Sequence, residues 1–450
     1  MFLKDFSKNK YCLLIFVFFS FELSAQQLIF DNYQTLSSGT EGFGRPRVAL
    51  LSNNTPIVVF RKNSNPKTLR MVKWNGSSFN SPIDIISQNI IPSSQDGPEI
   101  ASKGDTIYVV FTSNFPIHPS IFMIKSFDGG ISFSDTIRVS ENQPPQICRM
   151  SNISIDNSGN PIVSYMKYDL NFSNPKQMVR TSNDYGVTFN SAVNASINAS
   201  ADPCECCKSS LVVDDANIFL LFRKNDNNIR NSHVAKSDNF GISFDLVNEI
   251  DDYDWVLSSC PTTVSKGVVF EDSLLIVKKS GATGNNEVVL TSVAKSNLEY
   301  SYNKNIDFIP NVIQRNPEIS NNKDSIFIVW EDNRNGLYDC YLSYSLNGVA
   351  NISNGIRFTD SLTFGSKYLP HLVFNKGNVH LVYVDDLDNS IKYVRAYFSN
   401  TTNIFELVES KNRKLNFDIL GRKNINSKLN YLIKKKFSKK EYFFIYVIIL

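Results

Sequence analysis

The chain has 450 residues, 12% of them aromatic and 20% charged, and its 33 Phe and 19 Tyr far outnumber 3 Trp. That length fits one large repeat domain or a few ordinary ones, and the abundance of aromatic and β-branched residues suits strands and tight turns rather than helices. The net charge of +3 is concentrated in residues 411–450, which leaves residues 26–410 acidic and excludes nucleic acid as the main partner.

Taken in order, residues 1–25 read as a signal peptide. Lys4, Lys8 and Lys10 precede the apolar run Tyr11 to Phe21, and Leu23-Ser24-Ala25 supply a small-residue cleavage site before Gln26. The run is too short to span a bilayer. A secreted or cell-surface protein with no membrane span is expected.

From Gln26 onward the sequence repeats itself. A short strand, a turn and an apolar strand recur, the apolar strands being Pro56–Phe60, Ile107–Phe111, Pro161–Tyr165, Ile218–Phe222, Ser273–Val277, Ile326–Trp330 and Val379–Tyr383. Third and fourth strands follow in each unit, as in Ile121–Ser126 and Phe133–Val139. Four strands in a unit of about this length match a β-propeller blade. The near-continuous apolar runs suit sheets stacked between neighbours on both faces. The predicted fold is an all-β propeller of seven four-stranded blades, six being the alternative, over residues 26–410. Leu28–Leu36 and Ile404–Val408 both resemble a fourth strand able to complete the last blade from the other end of the chain. Residues 411–450 break the pattern as a basic tail.

Six cysteines remain after signal removal. Cys148, Cys204, Cys206, Cys207 and Cys260 fall before the first strands of consecutive blades and are the disulfide candidates. A thiolate metal site is the alternative, against which the oxidising compartment and the irregular spacing argue; no metal and no cofactor are expected. Cys340 falls on a predicted third strand as a buried free thiol. Metalloprotease, phosphate-loop and nucleophile-elbow motifs are missing from the sequence.

Three turns between third and fourth strands share one pattern. They carry Ser126, Asp128, Gly130 and Phe133; Ser182, Asp184, Gly186 and Phe189; and Ser237, Asn239, Gly241 and Phe244. An Asx side chain bonds turn amides, Gly takes a positive φ, and Phe packs into the blade. This pattern resembles the Asp box, or BNR repeat, of the sialidase-like propellers, where it is structural and lies opposite the active site. The resemblance covers about 40–410. Cys204-Glu205-Cys206-Cys207 and Trp255 with Cys260-Pro261 resemble secreted bacterial members of that group. Asp418-Ile419-Leu420-Gly421-Arg422 resembles a truncated C-terminal sorting domain of type IX secretion substrates from Bacteroidetes-type bacteria.

The resemblance implies an exo-α-sialidase-type glycosidase acting on terminal anionic sugars, with a glycan or sialoglycoconjugate as partner and a monomeric chain. Such enzymes bind the sugar carboxylate with three arginines and attack with a Tyr helped by a Glu. The family order maps these roles onto Arg45, Glu205, Arg223, Arg315 and Tyr368. Each has a plainer alternative: loop charges for the arginines, packing for Tyr368, solvation for Glu205. The sequence departs from the family in the loop Arg61 to Arg70, which holds no carboxylate where the acid/base Asp belongs. Asp96 is the carboxylate placed to reach the funnel instead. That departure, and the extra blade, keep open a non-catalytic propeller binding a glycan or protein.

Overall fold

A two-sided apolar sheet must be covered on both faces, and a ring of such sheets covers every one with its neighbours while leaving no long edge. The computed structural model takes this form. It describes residues 27–37, 44–64, 67–85, 92–93, 96–113, 118–141 and 145–399, and among these every regular element is a strand. Among the described residues no helix is long and apolar enough to cross a membrane. Leu28–Phe398 form one compact unit.

Seven antiparallel sheets make up the ring, each running as a meander from the axis outward. The innermost strands are Arg47–Leu50, Glu99–Lys103, Ile147–Ile155, Ser210–Asp214, Lys266–Phe270, Gln314–Asn322 and Lys367–Asn375. Each touches the innermost strand of the next blade, and Lys367–Asn375 touches Arg47–Leu50, so the circle closes at seven blades rather than six.

Alternation explains the continuous apolar runs. In the second strand of blade one, Ile57 and Val59 pack toward blade two, whereas Val58 and Phe60 pack toward blade seven. The same parity divides Tyr108 and Val110 from Ile107, Val109 and Phe111 in blade two. Seven hydrophobic clusters result, one between each pair of neighbours. Fully burying one Val, Ile or Phe is worth roughly 1.5–3 kcal/mol, so each second strand stabilises two interfaces at once.

The N-terminal segment completes the last blade. Gln27–Phe30 and Gln34–Ser37 both pair with Ser390–Ser399. The Asp31 N–H donates to the Arg395 carbonyl at 2.8 Å, and the two side chains pair at 2.7 Å. The rival segment Ile404–Val408, the signal segment and the basic tail lie outside the described residues.

Candidate functional site

Chain direction places two kinds of turn at opposite ends of every blade. Turns between third and fourth strands share an end with those between first and second. The approaches to the first strands lie at the other end.

At the first end the three related turns share one bonding scheme. Ser126 donates to Asp128 at 2.7 Å and accepts from the Gly130 N–H at 2.9 Å, while the Ser132 hydroxyl donates to Asp128 at 2.6 Å. Ser182, Asp184, Gly186 and Thr188 repeat it at 2.8, 2.8 and 2.6 Å. Ser237, Asn239, Gly241 and Ser243 repeat it with an amide, which donates to Ser243 at 2.9 Å. The Ser132 and Thr188 hydroxyls, with turn amides, hold the Asp128 carboxyl well below its usual range and that of Asp184 down to about 2. Gly186 has φ +73°, and a Cβ there would lie 2.5 Å from Met123. Phe133, Phe189 and Phe244 pack into three successive blade interfaces.

The opposite end carries a second repeat that the motif search did not register. Arg45, Gly97, Met150, Asn316 and Leu369 all have φ between 50° and 66°. All but Met150 precede a proline, and the residues two places on are Arg47, Glu99, Asn152, Glu318 and His371. Register shifts interrupt the first-strand pairing between Arg149 and Asn152, Arg315 and Glu318, and Tyr368 and His371. Such bulges re-aim side chains. Here they bring charged groups of different blades together at the axis.

Arg47 grips Glu99 through two 3.0 Å bonds, and Lys208 reaches the same carboxylate at 2.5 Å. Lys266 stands 4.0 Å from Glu99 and 3.3 Å from Glu318. Burial works to raise the Glu99 carboxyl, but Arg47, Lys208 and Lys266 outweigh it and hold it well below its usual range. Burial pulls Lys208 down to about 8, with Glu99 opposing. His371 is held neutral by burial, reinforced by Arg47 and Lys266.

A cavity of about 140 Å³ opens beside this network. Its charged lining is Arg45, Arg47, Lys208 and Lys266 against Asp96 and Glu318. Asp96 is already held by Arg149 at 3.0 Å, and it accepts from the Met150 N–H at 3.3 Å. Arg45 makes no hydrogen bond or ion pair with any described residue. Its stem lies over Gly97, where a Cβ would approach the Arg45 Cδ to 2.5 Å. Burial, then Arg47, pull its guanidinium down from its ordinary value, and it feels the charges of Asp96, Glu99 and Glu331. The cavity therefore has a cationic excess with one uncommitted guanidinium.

The other expected residues divide between this end's neighbouring clusters. The Arg315 guanidinium lies 3.9 Å from the Tyr338 ring centre and 5.6 Å from that of Tyr368, and it pairs with Glu331 at 3.4 Å. Glu331, next to Trp330 in the strand Ser325–Asp332, is fully buried. Burial pushes its carboxyl up, with Arg315, Asn316 and the Leu369 amide opposing. Tyr368 and Tyr338 pack with ring centres 5.9 Å apart. Arg223 is only 3% exposed. It donates to the Lys279 carbonyl at 2.9 Å and to the Arg230 carbonyl, under the Trp255 ring at 4.8 Å, so it serves packing there. Burial, then Arg315 and Arg223, lower Lys279 to about 8. Glu205 is half exposed and accepts from Asn225 at 3.1 Å and Arg230 at 3.5 Å.

Of the five disulfide candidates, Cys206 and Cys260 are joined. Cys148, Cys204 and Cys207 are free and buried, as is Cys340. Cys148 packs within the core between blades two and three. Cys204 and Cys207 lie with their sulfurs 3.1 Å apart beside the bridge.

No protein-family model matches this sequence, and no curated protein matches it. Solved structures do. A protein of unknown function from Dyadobacter fermentans is 12% identical with a TM-score of 0.50, over 83% of this chain and 99% of that one. The NanB sialidase from Streptococcus pneumoniae is 11% identical with a TM-score of 0.46, over 67% of each chain. Trypanosoma rangeli sialidase is 11% identical with a TM-score of 0.47, over 82% of this chain and 58% of that one. At 12% identity and a TM-score of 0.50 the first likeness is one of fold alone, and the charged end of this seven-bladed propeller must speak for its own chemistry.

Proposed function

We propose that this chain takes the carboxylate of a terminal acidic sugar in the axial cavity. The observation that carries the reading is the cationic excess there, with Arg45 free of any described partner. Guanidinium binds carboxylate through two parallel bonds, which favours Arg for this task. The volume, about 140 Å³, is below the roughly 300–1,000 Å³ of sites that enclose a small molecule. It suits the acidic end of a sugar whose remainder lies in the funnel mouth. Isothermal titration with a sialyl-oligosaccharide and its neutral counterpart tests this. Binding of the acidic glycan alone, lost in Arg45→Ala, is expected; equal binding of both glycans would remove the reading.

A second reading, hydrolysis of the exo-α-sialidase type, is favoured by Tyr368 standing beside Arg315 above a buried carboxylate. Here Tyr368 is the nucleophile candidate, and Glu331, which accepts from the Leu369 N–H, replaces Glu205 as the carboxylate candidate beside it. Arg315 would bind the sugar carboxylate, and Asp96 is the candidate acid at the cavity. A fluorogenic α-sialoside assayed from pH 4 to 8 separates the readings. Turnover lost in Tyr368→Phe with binding retained supports hydrolysis; binding without turnover leaves a glycan-binding propeller. Export by the signal segment 1–25, a propeller body of 26–410 and a sorting role for 411–450 belong to the same proposal, and N-terminal sequencing of the secreted protein tests the first.

A further inference from the structure

Four sulfurs converge where the approach to blade four meets the approach to blade five. Cys204, Cys206 and Cys207 come from the first loop and Cys260 from the second. All four sulfur atoms lie within 4.8 Å of one another. Cys204 stands 3.1 Å from Cys207 and 3.6 Å from Cys206. A tetrahedral thiolate site with metal–sulfur bonds of about 2.3 Å has sulfur–sulfur edges of about 3.8 Å, so these positions need only small shifts to enclose an ion.

The surroundings suit the charge such a site would carry. Four thiolates around a divalent ion leave a net charge of −2, which is costly to bury without compensation. Arg230 places Nη1 3.3 Å from the Cys204 sulfur, and Arg223, itself buried, acts on Cys207. Cys204 and Cys207 are fully buried while Cys260 is exposed, so the cluster is closed on the inside and open to ions and reductants on the outside.

We propose that, once the Cys206–Cys260 bridge is reduced, Cys204, Cys206, Cys207 and Cys260 bind one thiophilic divalent ion of the Zn²⁺ class in a closed tetrahedral site. Two small-molecule thiols open the bridge, giving two cysteine thiols and one small-molecule disulfide. The ion then displaces four thiol protons. Four protein sulfurs leave no open position, so the ion is structural. It ties two blade approaches together, and because Cys206 also lines the axial cavity, its loss alters the cavity wall.

The test is a cobalt titration of the full chain, reduced with a phosphine, desalted without oxygen and confirmed folded by its tryptophan fluorescence. One Co²⁺ per chain is expected, with intense near-ultraviolet sulfur-to-cobalt absorption and the visible bands of tetrahedral cobalt, both abolished by Zn²⁺. Cys204→Ser and Cys207→Ser each weaken binding at least tenfold, and Cys148→Ser and Cys340→Ser leave it unchanged. Folded, reduced protein that gives no sulfur-to-cobalt band overturns the proposal, and this result requires no variant. So does a band that survives Cys204→Ser and Cys207→Ser together.

Discussion

The two ends of the blades solve the same problem, a chain reversal beside a tightly packed core, by opposite means. At one end the Ser and Asx side chains of each turn find partners within about seven residues of chain, and the Asp128 and Asp184 carboxylates keep contact with water. At the other end the polar groups are buried and find partners from other blades, as Glu99 does in Arg47, Lys208 and Lys266. The first end is a set of independent staples. The second is a shared electrostatic structure in which removing one member changes the charge on all the rest, and such a place can be tuned for a ligand.

This contrast predicts a graded series of outcomes. The largest effect is expected from Glu99→Ala, which leaves three buried cations without their common anion; stripping one partner from a buried ion pair costs about 3–5 kcal/mol. Chemical denaturation should show it, and a loss below about 1 kcal/mol would mean that water already shares the network. Arg45→Ala comes next, with the reverse signature. It should weaken an acidic glycan about 10- to 100-fold, the worth of a hydrogen bond to a charged group, while leaving the unfolding midpoint unchanged.

Acidity gives the third. Lys208 has a folded value of about 8, below the unfolded value of roughly 10.4. Between those values the unfolded chain holds the extra proton, so this residue's contribution to stability rises with pH as the buried cation discharges. Affinity for an anion moves the other way, falling above pH 8 by up to about tenfold per pH unit. Calorimetric titrations from pH 7 to 10 on wild type and Lys208→Met would reveal it, and parallel curves would place the titration elsewhere. The smallest effect belongs to the staples. Ser182→Ala removes the hydroxyl that bonds Asp184 and Gly186, should cost about 1 kcal/mol, and should not touch glycan affinity. In the same turn Asp184 has its value lowered to about 2, against roughly 3.9 unfolded. Its contribution is complete above pH 4 and is lost as the pH falls through 2.

What could be read from the sequence follows the same division. The seven apolar strands and the Ser–Asx–Gly turns were legible because their determinants lie within a few residues of one another. Glu99, Lys208 and Lys266 were not, because nothing near any of them in the chain announces a partner 52 to 167 residues away. Glu331 was not singled out either: it follows Trp330 at the polar end of its strand, and only the fold sets it beneath Arg315. Arg223 ends a strand that points toward the funnel, and only the Trp255 ring from the next approach turns it into a packing residue. A signal was present all the same. Arg45-Pro46 and Gly97-Pro98 stand just before their first strands, Asn316-Pro317 and Leu369-Pro370 just inside theirs, and a strained residue ahead of a fixed proline marks a bulge.

The pairing of Gln27–Phe30 with Ser390–Ser399 also sets a schedule. The chain leaves the ribosome from its N-terminus, so the strand that closes the circle is made first and its partner is made last. At roughly 5–20 residues per second, synthesis of the intervening chain takes on the order of 20–75 s. For that interval the opening segment has no blade to join, and the outer edge of the final blade does not yet exist. A truncation just before Ser390 should therefore yield a chain with six finished blades and an open seam, and that seam is where a chaperone or a second chain would find it.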